Sequence, residues 1–276
     1  MINERIPLPV FYPSAAYQNE SVSIQAYAHE SNQSIAAQSG RWAVLIMPGG
    51  GYRILAPSES EPVAMAFFNG GCQAFVLNYS LAPAKYPTQF LEAAAAIACL
   101  RKNQSRYGFE HLAVCGLSAG GHLAGCIANL WDSTQLKDAF GSDTPFRPDA
   151  AILSYPVISA KTPKRSPAFD KLTGVGTEIT GEYAPLSLED SVTEANPPTF
   201  LWATVNDPQV SVEHTMKYAE ALRVAGVPFE LHLFQNGPHA MSVATPESAR
   251  SEEYCSPHVA HWLPLCLEWL RGEALC

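Results

Sequence analysis

Short apolar runs alternate with helical patterns along this chain of 276 residues. The runs are Ala43–Met47, Ala74–Leu77, Leu112–Cys115, Ala151–Leu153, Thr199–Ala203 and Phe229–Phe234. Most are nearly continuous, as strands buried on both faces must be. Three helical patterns stand between or after them. Gln89 to Asn103 carries five alanines with Leu91, Ile97 and Leu100. His214 to Ala225 is closed by Gly226 and Pro228, a helix stop. Pro257 to Leu270 puts Val259, Trp262, Leu263, Cys266 and Leu267 on one stripe. Strands alternating with helices predict the α/β class, a doubly wound, mostly parallel sheet flanked by helices. Val22–Tyr27 alternates apolar with polar and predicts a half-exposed strand, antiparallel at the sheet edge. One stretch breaks the rhythm. Between Tyr155 and Thr199 lie Pro, Ser, Thr, Gly and charges with only short helical pieces. It is too long for an ordinary connection. We read residues 157–198 as a lid-like excursion within one domain spanning 1–276.

Composition narrows the picture. Hydrophobic residues make up 47% and charged residues 16%, which predicts an ordered chain with a sizeable core. The net charge of −9 argues against nucleic acid, since no cationic excess is available to neutralise phosphates. The one basic cluster, Lys161-Thr162-Pro163-Lys164-Arg165, reads as a solvated loop. No apolar stretch approaches the roughly 20 residues of a membrane helix, so no membrane partner is expected. The start, Met1 to Pro7, lacks a basic segment followed by an apolar one, so a secretory signal is not expected. The 7 cysteines are scattered without a C-x-x-C and read as reduced, mostly buried thiols of a cytoplasmic protein.

The chemistry centres on Gly116-Leu117-Ser118-Ala119-Gly120, a G-x-S-x-G between the apolar run Leu112–Cys115 and a helical pattern. A serine on such a strand–turn–helix is held out of the sheet with its hydroxyl exposed. That makes Ser118 the candidate nucleophile. It needs a base, a group to orient the base, and donors for a developing oxyanion. On a doubly wound sheet these belong at the carboxyl ends of strands. Of the 8 histidines, His239 alone follows the last strand on a short turn, Asn236-Gly237-Pro238-His239. It is the candidate base. His122 and His232 sit inside a helix and a strand and read as packing or locally hydrogen-bonded residues, and His258 and His261 read as surface or packing residues of the last helix. Asp207 stands just past the strand that begins at Thr199, where a carboxylate can fix the imidazole tautomer. Glu213 is its backup, but it opens the following helix. Directly after the first apolar run comes Pro48-Gly49-Gly50-Gly51-Tyr52. The N–H groups of Gly50, Gly51 and Ala119 are the candidate oxyanion hole. Tyr52 is a candidate substrate contact. A phosphate loop is not indicated, because there is no G-K-[ST] and no G-x-G-x-x-G.

These residues carry a resemblance to the α/β-hydrolase fold. Within it the chain resembles the lipase/esterase group and its acetylesterase, acetyl xylan esterase-like branch, related to feruloyl esterase-like proteins. The matching stretches are Pro48 to Tyr52, Asn78-Tyr79-Ser80-Leu81-Ala82-Pro83, Gly116 to Ala124, Asn206-Asp207-Pro208-Gln209-Val210, and Val227 to His232 leading to His239. The resemblance runs from about residue 40 to the end. Pro48 stands where the wider group has His, Ser80 where many relatives have Arg, Ser211 where Pro is usual, and Ala240 where Gly is usual. The resemblance implies a serine carboxylic-ester hydrolase acting on short acyl groups, acetyl first, on a sugar or small alcohol. It implies no metal and no organic cofactor. The expected partner is a small-molecule ester, acetylated oligosaccharides included, and a homo-oligomer stays open. An amidase, an aryl formamidase or a peptidase could use the same three residues. A non-catalytic binding protein on the same fold is the remaining reading.

Overall fold

The computed structural model describes residues 1–8, 21–30, 40–143, 145–162, 165–176, 179–272 and 274. Its sheet is built from β1 (Ile2–Pro7), β2 (Ser23–Ala28), β3 (Trp42–Met47), β4 (Gln73–Asn78), β5 (His111–Leu117), β6 (Ala150–Ser154), β7 (Thr199–Thr204) and β8 (Phe229–Phe234). They lie in the order β1-β2-β4-β3-β5-β6-β7-β8. From β4 to β8 every pairing is parallel, and β2 runs antiparallel to both β1 and β4. All six apolar runs are strands of this sheet.

The near-continuous apolar strands follow from burial on both faces. In β3, Ala43, Leu45 and Met47 pack into one core layer, while Trp42, Val44 and Ile46 pack into the other. In β5, Leu112 and Val114 face the first layer, and Ala113, Cys115 and Leu117 face the second. Successive side chains of a strand point to opposite faces, so a strand covered twice cannot alternate with polar residues. The first layer is filled by α2 (Thr88–Lys102), α4 (Ala119–Leu130) and α7 (Glu213–Ala225). The second is filled by α1 (Glu61–Asn69) and α9 (Trp262–Gly272). Three short helices complete the set: α3 (Gln104–Tyr107), α5 (Thr134–Phe140) and α8 (Pro257–Ala260), with α6 (Ala168–Thr173) lying in the excursion.

Two expectations change. The strand predicted at the edge, now β2, lies one place inward, because β1 covers it through Ile2↔Ala28 to Pro7↔Ser23. Its residues are accordingly mostly buried. The last helical pattern is two helices, α8 and α9, meeting at His261. The described part of the excursion packs against the core. Phe169, Leu172, Leu186 and Leu188 are buried in the same layer as α4.

Parallel register sets the site. Met47 at the end of β3 pairs with Gly116 of β5, and Leu117 pairs with Ser154 of β6. Thr204 at the end of β7 pairs with Phe234 at the end of β8. The loops after β3, β5, β7 and β8 therefore leave from one edge.

Candidate active site

Ser118 sits between β5 and α4 with φ 55° and ψ −118°, a left-handed conformation that an L-residue adopts at a cost of about 1–3 kcal/mol. What enforces it is close packing of the helix against the sheet. A Cβ on Gly120 would stand 1.9 Å from the carbonyl oxygen of Met47, so only glycine lets α4 begin there. The Ser118 N–H donates to Ser154 O at 3.0 Å, and Ser118 O accepts from His122 N and Val157 N. The backbone is pinned and the hydroxyl faces outward.

The Ser118 hydroxyl lies 2.7 Å from His239 Nε2. On the far side of the ring, His239 Nδ1 lies 2.6 Å from Asp207 Oδ2. The other carboxylate oxygen, Oδ1, accepts the N–H groups of Gln209 at 2.8 Å and Val210 at 3.0 Å. These two donors hold the carboxylate in one orientation. The loops that carry acid and base are laced together. Gly237 N–H donates to Asn206 Oδ1, Asn206 Nδ2 donates to Asn236, and Thr204 Oγ1 donates to Gly237 O. Ser118, Asp207 and His239 are each buried, between 7% and 9% exposed, so water competes little for their hydrogen bonds.

The glycine loop after β3 faces this serine. Gly50, Gly51 and Ala119 line a cavity of about 610 Å³ together with Ser118 and His239. Among the described residues the Gly50 and Gly51 N–H groups donate to no protein acceptor. Gly51 has φ 64°. The loop is fastened from behind. Glu59 Oε2 accepts the Gly49 N–H at 2.7 Å, Ala56 N–H donates to Gly49 O, and the Tyr79 hydroxyl donates to Pro48 O. Tyr79 belongs to the Asn78–Pro83 stretch singled out in the sequence.

Tyr52 departs from expectation. It is 1% exposed, lies outside the cavity lining, and shares a hydrogen bond of 2.9 Å with His122 Nδ1. Its φ is positive, 57°, and the buried ring braces the loop from within. His122 is the packing residue the sequence suggested. Its Nε2 donates to Leu186 O at 2.8 Å, and burial pushes its pKa down to about 4. His232 pairs with Glu230 within β8. Glu213 opens α7, away from the cavity. In the basic cluster, Lys161 pairs with Asp190 and Arg165 with Asp170, while Pro163 and Lys164 lie outside the described residues.

Sequence reasoning missed Glu59. It is fully buried, and Oε1 accepts the Tyr155 hydroxyl at 2.9 Å. The Tyr155 ring stands edge-on to His239, centroids 5.2 Å apart. Burial pushes the Glu59 carboxyl above the usual carboxylate range, while His239, Tyr155 and Gly49 pull it down. Its only sequence signal was an acid near a helix start, which ordinarily marks a solvated first turn. Among the described residues, no group of three or more His, Cys, Asp or Glu is arranged to hold a metal ion. No described helix is long and apolar enough to cross a membrane. The six described cysteines are free thiols, Cys255 half-buried and the others buried.

The family model for the alpha/beta hydrolase fold matches residues 44–243. The chain belongs to this family. Within the alpha/beta hydrolases it is 37% identical over 216 residues to endo-1,4-beta-xylanase B of Butyrivibrio fibrisolvens, covering 75% of this chain and 33% of that one. It is 27% identical over 217 residues to an acetylxylan esterase of Xylanibacter ruminicola, covering 75% and 42%. The chain thus spans a third to under a half of the length of these curated relatives. The solved acetyl ester-xyloside bifunctional hydrolase from Caldicellulosiruptor lactoaceticus superposes with a TM-score of 0.83 at 31% identity, covering 99% of this chain and 97% of that one. The acetyl xylan esterase-like resemblance of the sequence agrees with these neighbours.

Proposed function

We propose that the chain is a serine carboxylic-ester hydrolase for short acyl groups, acetyl first, carried by sugars or small alcohols. The observation that carries this reading is the run Ser118 Oγ–His239–Asp207, at 2.7 and 2.6 Å, opening beneath unpaired glycine N–H groups. His239 Nε2 takes the Ser118 proton as Oγ attacks the ester carbonyl. Asp207 holds Nδ1–H and so fixes the tautomer that leaves Nε2 free. The carbonyl oxygen becomes an oxyanion against the N–H groups of Gly50, Gly51 and Ala119, where losing one donor costs about 10²–10³ in rate. His239 returns the proton to the leaving alcohol, and water then repeats the sequence on the acyl-enzyme. The acetyl preference is supported by relatives named for acetyl esters and xylan. Free thiols suit a reducing compartment, and we place the protein in the cytoplasm.

The test is hydrolysis of p-nitrophenyl esters from acetate to octanoate, with acetylated xylo-oligosaccharides alongside. Turnover that is highest with acetate and abolished by Ser118→Ala is expected. Equal turnover by Ser118→Ala would remove the assignment.

A further inference from the structure

The cavity over Ser118 is cationic in a chain of net charge −9. Arg53, Lys171 and Arg250 line it. The one acid in that lining is Glu59, which is buried and committed to Gly49 and Tyr155. The three cations come from three separate segments. Arg53 follows the oxyanion glycines, Lys171 stands on α6 of the excursion, and Arg250 follows the His239 loop. All three are exposed.

Ion pairs neutralise six of the chain's other cations. Arg101, Arg106, Lys137, Lys161, Arg165 and Arg223 each sit on an Asp or Glu. Among the described residues Arg53, Lys171 and Arg250 form no ion pair. Arg250 is steadied by the Tyr254 ring, 5.2 Å from its guanidinium carbon, and is attracted at longer range by the buried Glu59. A concave, partly enclosed site with one sign of charge concentrates ligands of the opposite sign. A volume of about 610 Å³ leaves room for more than an acetyl group, within the roughly 300–1,000 Å³ of small-molecule sites.

We infer that this cavity selects esters that also carry a carboxylate, which Arg53, Lys171 and Arg250 receive while the ester carbonyl lies at Ser118. The inference rests on the esterase reading and names its substrate class. A carboxylate on the alcohol side makes the substrate an acetylated sugar acid. On the acyl side it makes it a dicarboxylic half-ester. Both present the same anion to the same three side chains.

Two matched pairs separate charge from shape. Acetylated glucuronic acid is compared with acetylated glucose, and p-nitrophenyl hemisuccinate with p-nitrophenyl butyrate. At low salt the anionic member of at least one pair should show a kcat/KM higher on the order of 10-fold. The pair that responds tells which side of the ester carries the charge. The advantage should shrink as salt rises from 0.01 to 1 M, where the screening length falls from about 30 Å to about 3 Å. It should also shrink in Lys171→Gln and Arg250→Gln. Hydrolysis of neutral and anionic members alike, at every salt concentration, overturns the inference and leaves the esterase reading standing. Hydrolysis of no ester in either pair, by protein that also fails to react with a fluorophosphonate, overturns both.

Discussion

Tyr155 donates its hydroxyl proton to Oε1 of Glu59 across 2.9 Å, beneath the cavity that holds Ser118. The same carboxyl accepts the Gly49 N–H, so one buried side chain ties the glycine loop to the ring that packs on His239. The Tyr155 oxygen in turn accepts the Ser242 N–H at 3.0 Å. Glu59 thus serves as acceptor at both oxygens, a role no amide can fill.

Replacing Glu59 should therefore cost rate more than affinity. In Glu59→Gln one contact must oppose donor to donor, at about 1–3 kcal/mol for the buried mismatch. If that misplaces the oxyanion donors, kcat falls about 10- to 100-fold with little change in KM. Glu59→Ala should fall further, because the Gly49 N–H and the Tyr155 hydroxyl both lose their acceptor. Steady-state kinetics on a short ester check this. A wild-type kcat in both variants would show that the tie is idle.

Gly120 and Gly51 should respond differently to alanine. A Cβ at Gly120 meets the Met47 carbonyl oxygen at 1.9 Å, with backbone on both sides of the clash. Gly120→Ala should lose several kcal/mol or fail to fold, as forced overlap in a packed interior does. A Cβ at Gly51 meets nothing within 4 Å, and only φ 64° opposes it. Gly51→Ala should fold and lose about 1–2 kcal/mol, the ordinary cost of a left-handed L-residue. Urea unfolding distinguishes the two, and equal losses would contradict the packing described for the turn.

Two buried histidines should make the fold acid-sensitive. His122 donates to Leu186 O, and His214 Nδ1 accepts the N–H groups of Ile158 and Ser159 at 3.0 Å. Both hold the excursion onto the core. Burial lowers each pKa to about 4, against 6.5 for a free ring. The unfolded chain therefore takes up protons first as pH falls. The stabilisation is complete above 6.5 and is lost toward about pH 4, at about 1.4 kcal/mol per pH unit for each ring. His122→Gln keeps a donor for Leu186 but cannot titrate. The stability gap between wild type and this variant should narrow by roughly 2 kcal/mol from pH 7 to pH 5. Parallel unfolding curves at both values would count against a neutral, buried His122.

Much of the fold was legible because burial on both faces leaves a strong sequence trace. Six apolar runs became β3 to β8. β1 was not, since its half-buried face, Ile2, Glu4 and Ile6, carries a charge in the middle and its other face is exposed. Without β1, β2 looked like an edge. The break at His261 was hidden because α8 and α9 continue one apolar stripe. At the site, chain order and strand ends located Ser118, Asp207 and His239. Those cues report where a residue leaves the sheet. They do not report which way a side chain turns afterward, so they could not show that Tyr52 is buried against His122. Nor do they show that an acid beside Pro57 will be buried, which is why Glu59 was overlooked.

The most direct measurement is intact-protein mass after reaction with a fluorophosphonate, followed by mapping of the modified peptide. An activated serine gives one adduct, at Ser118, with ester hydrolysis lost in step, and Ser118→Ala gives none. An unlabelled wild-type protein, or labelling that persists in Ser118→Ala, would contradict Ser118 as the nucleophile.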